Sequence, residues 1–159
     1  MKKARTAAEW RRSKVTERMV SFSGGAGLMS KLGPLFQMED GKRERHIPVI
    51  DCPDTVAAGK PFVINVTIGK EVNHPNTTEH HIKWIQVFFR PENDKFSYQI
   101  AHCDFAAHGD SVVGSGKGPV VTDHRVSVVV SVNGRGRIYA LSMCNIHGLW
   151  ESGKDLEVA

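Results

Sequence analysis

No stretch of the 159-residue chain approaches the roughly 18 apolar residues of a membrane span. Cysteine is scarce: Cys52, Cys103 and Cys144 are widely separated, and no Cys-x-x-Cys pair occurs. An odd, sparse set does not build a disulfide framework and fits a reducing, cytoplasmic setting. There is no internal repeat. Excess positive charge is also scarce, except at one end. Residues 1–18 carry Lys2, Lys3, Arg5, Arg11, Arg12, Lys14 and Arg18 against Glu9 and Glu17, a net +5, so the other residues sum to −1 within a total of +4. The basicity belongs to a tail and does not mark a nucleic-acid-binding face.

What is present divides the chain in two. Residues 1–41 read as a basic extension, with Ala4–Val20 able to form an amphipathic helix and Ser23-Gly24-Gly25-Ala26-Gly27 breaking it. The pair Arg11-Arg12 invites an export reading and the Arg-rich start a transit-peptide reading. The apolar stretch that follows is short and rich in Gly and Ser, so a solvated or subunit-docking extension is the better reading, in an assembly of two or four copies. Residues 42–159 form one domain by length, and with 40% hydrophobic residues in the chain it can bury an ordinary core.

That domain reads as strands. Phe62, Ile64, Val66 and Ile68 alternate with smaller or polar residues, which predicts a half-buried strand. Ile82–Phe89 is apolar on both faces and reads as a central strand. Tyr98–Phe105, Arg125–Val132, Arg137–Met143 and the short run His46–Ile50 extend the set, with turn signals between them. One of these, Asn133-Gly134, is a two-residue hairpin signal. The expected fold is an all-β, immunoglobulin-like antiparallel sandwich of about seven strands, with no helix needed after residue 45.

Some motifs carry no chemistry. Gly114-Ser115-Gly116-Lys117-Gly118 lacks the first Gly of a phosphate loop and the Ser/Thr after its Lys, and reads as a surface loop. Asn65-Val66-Thr67 and Asn76-Thr77-Thr78 match the glycosylation pattern by chance. Cys52 and Cys103 read as packed thiols, and His102, His108 and His124 as structural or surface histidines.

Three segments do carry chemistry. Cys144-Asn145-Ile146-His147-Gly148-Leu149-Trp150 places a thiol and an imidazole three residues apart. His74-Pro75-Asn76-Thr77-Thr78-Glu79-His80-His81 and Glu44-Arg45-His46-Ile47-Pro48 add further imidazoles. Thiolate and imidazole together suit Zn, Fe or Cu better than Mg or Ca, which prefer oxygen. His80 and His81, read as adjacent residues at a strand start, point to opposite faces, so one of them at most reaches a given ion. The reading is a metal site.

These three motifs, in this order, resemble the superoxide reductases, and specifically the one-iron neelaredoxin class of the desulfoferrodoxin family. The likeness covers about residues 42–157 and includes Gly69-Lys70-Glu71 and Ala107-His108-Gly109. The family's Glu-Lys-His-Val-Pro appears with Arg45 for Lys and Ile47 for Val, and no Cys-rich rubredoxin-like iron domain precedes it. The resemblance implies one Fe2+/Fe3+ ion held by His46, His74, His80 and His147, with Cys144 axial and His81 excluded. It implies that Glu44 occupies the remaining position in the ferric state and that Arg45 attracts the anionic substrate. The implied reaction joins superoxide, one electron and two protons to give hydrogen peroxide, with water supplying protons because a guanidinium is a poor acid. Rubredoxin or a similar donor then restores ferrous iron. Dismutation of superoxide, a cupredoxin-like electron carrier and a four-ligand structural zinc site are the competing readings.

Overall fold

The computed structural model describes residues 32–39 and 44–159; the helix expected over Ala4–Val20 and the glycine break after it lie outside them. Nine strands follow a single turn of 3-10 helix at Gly33–Leu35. They are β1 (Phe36–Gln37), β2 (Pro48–Asp51), β3 (Thr55–Val56), β4 (Phe62–Ile68), β5 (Ile82–Pro91), β6 (Tyr98–Asp104), β7 (Arg125–Val130), β8 (Gly136–Cys144) and β9 (Gly148–Val158). One sheet runs β1-β9-β8-β5-β6, with β3 also on β9; the other runs β2-β4-β7. The long pairings are antiparallel, while the two-residue strands β1 and β3 join β9 in parallel. No α-helix occurs among the described residues. The architecture is the expected immunoglobulin-like sandwich.

The core forms where the inner faces of the two sheets meet. In β4 the period-two pattern buries Ile64, Val66 and Ile68. Facing them, β5 buries Ile82, Ile85, Val87 and Phe89. The step of three between Ile82 and Ile85 marks a bulge, seen as a register shift against β8 between Ile82 and Trp84. Ile138, Ala140 and Leu156 complete the contact from β8 and β9. Each large apolar side chain so buried contributes about 1.5–3 kcal/mol, which ties sequence alternation directly to the stability of the sandwich.

Two sequence expectations need correction. Asn133-Gly134 does not close a hairpin, because β7 pairs with β4 in one sheet and β8 with β5 and β9 in the other. Its segment is a crossover between sheets, held by Gly59 N–H donating to the Val132 carbonyl and Glu92 N–H to that of Arg135. The second concerns β9, which was not among the expected strands although it is the longest. Its outward positions carry Glu151, Asp155 and Glu157, an inward one carries Lys154, and few of its residues are buried, so its sequence lacks clean alternation.

Candidate metal centre

The β8 strand delivers its last residues to one end of the sandwich. Ile138, Ala140, Ser142 and Cys144 alternate inward and are all buried, so Cys144 is the final core-facing position of the strand. The chain then reverses through Asn145, Ile146 and His147 into β9, with Cys144 opposite Gly148. Gly148 takes φ +77°, the left-handed conformation that such a short hairpin loop requires and that glycine adopts without cost. His147 therefore sits at the hairpin tip, exposed, with its Nδ1 3.5 Å from Cys144 Sγ.

Two other segments converge on Cys144. His46 lies just before β2, and Ser142 Oγ donates to its carbonyl at 3.3 Å, tying the segment to β8. Gly69, at the exit of β4, donates its N–H to the Ile47 carbonyl. A Cβ at Gly69 would fall 2.3 Å from the Val72 carbonyl oxygen and 3.1 Å from that of Arg45, so the close approach of the two segments needs glycine. The chain from there to β5 carries His74, which is buried, and His80, which is partly buried.

The donor atoms of His46, His74, His80 and Cys144 all lie within 4.8 Å of one another. His147 stands alongside, its ring centroid 4.4 Å from that of His46 and 4.9 Å from that of His80. The orientation of the rings is set from outside. His46 Nδ1 is bonded to Glu44 Oε1, which also accepts from the His46 backbone N–H at 3.0 Å. His74 Nδ1 donates to the Pro75 carbonyl at 2.6 Å. With those nitrogens engaged, the Nε2 atoms turn inward. The Nε2 atoms of His46, His74 and His80 are buried without a hydrogen-bond partner. Buried polar atoms are normally satisfied, and three orphaned imidazole nitrogens beside one thiol are what a transition-metal ligand set looks like without its ion.

Electrostatics favour the ligand form of these rings. Burial drives His74 down to about 3, only partly opposed by its bond to the Pro75 carbonyl. Burial likewise lowers His46, against the pull of Glu44, and lowers His80, with neighbouring His147 and His46 adding to the effect. Neutral imidazole is the form that binds metal. Burial pulls Glu44 upward, but its bonds to the His46 ring and backbone outweigh this and hold it below the usual carboxylate range. In this structure the Glu44 carboxylate is thus a partner of the His46 ring.

Residues outside the predicted set also contact the site. Trp150 stacks on His46 with centroids 5.0 Å apart and planes 17° apart. His124 meets His74 edge to face at 5.5 Å, and His108 stacks on His81 at 3.7 Å. Trp150 lies inside a motif read for its Cys and His, and nothing in the sequence pairs its indole with His46, about a hundred residues away. His81 is not among the residues whose donor atoms converge; it precedes β5, which begins only at Ile82, and its Nδ1 is 3.0 Å from the Thr77 carbonyl. Arg45 is exposed.

The sequence pattern of the desulfoferrodoxin family matches residues 38–153. The chain belongs to the desulfoferrodoxin family. It is 50% identical over 124 residues to neelaredoxin of Megalodesulfovibrio gigas, covering 78% of this chain and 95% of that one. It is 45% identical over 118 residues to superoxide reductase of Pyrococcus furiosus, covering 74% and 93% respectively. The reduced form of superoxide reductase (neelaredoxin) from Archaeoglobus fulgidus superposes with a TM-score of 0.72 at 45% identity, covering 77% of this chain and 98% of that structure. The converging side chains all fall inside the matched residues.

Proposed function

We propose that this protein is a superoxide reductase whose single iron is held by His46, His74, His80, His147 and Cys144 in the domain spanning residues 42–159. The observation that carries the reading is the convergence of three partnerless imidazole nitrogens on the Cys144 thiol. An iron ion bound there supplies the one electron that, with two protons, turns superoxide into hydrogen peroxide. Neutral imidazoles leave such a site positively charged and attractive to a small anion. Arg45, exposed at the rim and close enough to act electrostatically on His46 and His80, adds to that attraction. Glu44 fixes the tautomer and orientation of His46, and its carboxylate would have to leave that ring to reach the ion in the oxidised state. Burial of Cys144 keeps its sulfur from bulk water and oxidants.

Electrons come from a small redox protein such as rubredoxin, which approaches the exposed hairpin tip at Ile146 and His147. The protein is cytoplasmic, consistent with three free cysteines, and no described helix is long and apolar enough to cross a membrane. It associates into a dimer or tetramer. The cross-strand pair Val63 and Val129, exposed on the outer face of the three-stranded sheet, supports self-association.

Metal analysis, a visible spectrum after mild oxidation, and product analysis after superoxide pulses test the reading. One iron per chain, a thiolate-to-iron charge-transfer band that Cys144→Ser abolishes, and peroxide formed without dioxygen are expected. Colourless zinc protein would overturn it, dioxygen release would mark a dismutase, and full colour in Cys144→Ser would remove Cys144 from the site.

A further inference from the structure

The segment from Asn73 to His81 carries two of the converging imidazoles yet contains no helix or strand. Its internal bonds are short-range: Thr77 N–H donates to the His80 carbonyl at 3.0 Å, His80 N–H to Thr77 Oγ1 at 3.1 Å, and the rings of His74 and His81 bond the Pro75 and Thr77 carbonyls at 2.6 and 3.0 Å. A turn so locally bonded does not by itself hold two side chains to the few tenths of an ångström that ligation demands. Something outside it must.

One outer hold is Asn145, whose side chain donates to the Glu79 carbonyl at 2.8 Å and accepts from His81 N–H at 2.9 Å. It belongs to the metal hairpin itself. Thr78 Oγ1 also bonds Ser115 Oγ and the Asn76 amide donates to the Thr122 carbonyl, and a further hold comes from a residue of a part of the chain that contributes no ligand. His108 is buried, and its backbone N–H donates to Asp110 Oδ2 at 3.2 Å. Its Nε2 lies 2.9 Å from the Phe105 carbonyl and its Nδ1 2.7 Å from Asn76 Oδ1. The Asn76 amide nitrogen is already donating to the Thr122 carbonyl, so Oδ1 is the atom turned to His108; a neutral ring has one N–H, and in the Nδ1–H tautomer it donates to Asn76 while Nε2 only abuts the Phe105 carbonyl. The flat face of His108 meets the ring of His81 at 3.7 Å between centroids and 13° between planes. His108 thus touches the segment twice, at Asn76 and at His81, and these contacts bracket His80 in sequence, with Asn76 two residues beyond His74.

We propose that His108 is a positioning residue: by bonding Asn76 and stacking on His81 it sets where His74 and His80 present their inward nitrogens. This rests on the metal-site reading above. A histidine that only fills the core has no reason to contact this one irregular segment on both sides of a ligand. Partners that orient metal ligands typically contribute 10–100-fold in metal affinity, and that is the size of effect assigned to His108.

The test uses the full chain freed of metal and titrated with Co2+, whose visible bands report thiolate ligation and site geometry. His108→Leu, which removes both the bond and the stack, is expected to weaken Co2+ binding by about 10–100-fold and to shift the ligand-field bands. His108→Asn, whose amide nitrogen takes the place of Nδ1, recovers much of the affinity, whereas His108→Gln, which reaches toward Phe105 instead, does not. Melting of the metal-free proteins is measured in parallel. Should His108→Leu not fold, Asn76→Ala and His108→Gln break the same link from its two sides, and their effects on affinity are expected to be less than additive. Wild-type affinity and spectrum in these variants would overturn the proposal. So would a loss of affinity matched by the loss of metal-free stability with unchanged cobalt bands, because that marks a purely structural residue. A wild-type chain that gives no thiolate–cobalt band would fail at an earlier step and overturn the metal-site reading itself.

Discussion

The indole of Trp150 lies nearly parallel to the imidazole of His46, 5.0 Å away centre to centre with planes 17° apart. Trp150 is 8% exposed, and its Nε1 has no hydrogen-bond partner among the described residues. An emitting indole in van der Waals contact with a ligand ring is a built-in reporter of whatever that ring binds. Loading with iron is expected to quench tryptophan emission, and Trp150→Phe should abolish most of the change while preserving binding. Trp150→Ala removes the packing against His46 and is expected to cost about 3–5 kcal/mol in stability, read from denaturant unfolding. Emission that falls equally in Trp150→Phe would place the quenched indole elsewhere.

The adjacent histidines of the β4–β5 connection should respond very differently. His80→Ala deletes an inward nitrogen and is expected to lower metal content severely. His81→Ala loses the stack on His108 and the contact with the Thr77 carbonyl, and a drop of no more than about 10–100-fold in affinity is expected. Metal content after dialysis against a weak chelator ranks the two. The reverse order would mean that the ring outside the cluster here is the one that ligates.

Glu44 offers a finer test. Glu44→Gln keeps a carbonyl oxygen for His46 Nδ1–H, whereas Glu44→Ala leaves that nitrogen without its partner. Metal affinity is expected to fall by about tenfold or more in Glu44→Ala and far less in Glu44→Gln. Reduction of superoxide by loaded Glu44→Ala should stay largely intact, while the resting oxidised spectrum changes its dependence on pH.

Arg45 is exposed, and the role proposed for it is electrostatic. Arg45→Lys should alter the second-order rate with superoxide little. Arg45→Glu should slow it by about tenfold and flatten or invert its dependence on ionic strength. Pulse radiolysis across a salt series measures both. An unchanged salt slope in Arg45→Glu would remove this residue from substrate guidance.

Without metal, the burial of His74 becomes a liability in acid. Its folded value of about 3 lies below the ordinary 6.5, so between those values the unfolded chain binds a proton that the folded chain refuses. Stability is therefore full above about pH 6.5 and declines as the pH falls toward about 3. His46, His80 and His124, all lowered chiefly by burial, add to the same trend. Thermal melting of the metal-free protein from pH 8 to pH 4 is expected to show a steady fall beginning near pH 6.5, and a flat profile would contradict the burial of these rings.

Much of the site was legible because its chemistry is written in short spacings. Cys144 and His147 share a hairpin tip, and His74 and His80 share one connection. The strands β4 and β5 were legible because both bury large β-branched residues in strand-length runs. Other features depend on contacts between distant residues and leave no local trace. Asn133-Gly134 carries a hairpin signal, yet the neighbours of β7 and β8 are chosen by the core and not by the turn. The β9 strand is held by pairing on both sides, which lets its outward positions be charged. His108 looks like any isolated histidine until Asn76 and His81 are folded against it.

The donor atoms come from both layers of the sandwich: His46 leads into β2 of the smaller sheet, while Cys144 ends β8 of the larger one. An ion gripping both is a cross-link as well as a reaction centre, closing a loop of nearly a hundred residues, and clips across long loops restrict the unfolded chain most. It fastens one end of the molecule and leaves the crossover after β7 at the opposite sheet ends untouched. Removing it should therefore make opening uneven. The amide of Gly69, bonded to the Ile47 carbonyl beside the site, would exchange its hydrogen sooner, while that of Gly59, bonded to Val132 beside the crossover, would keep its protection.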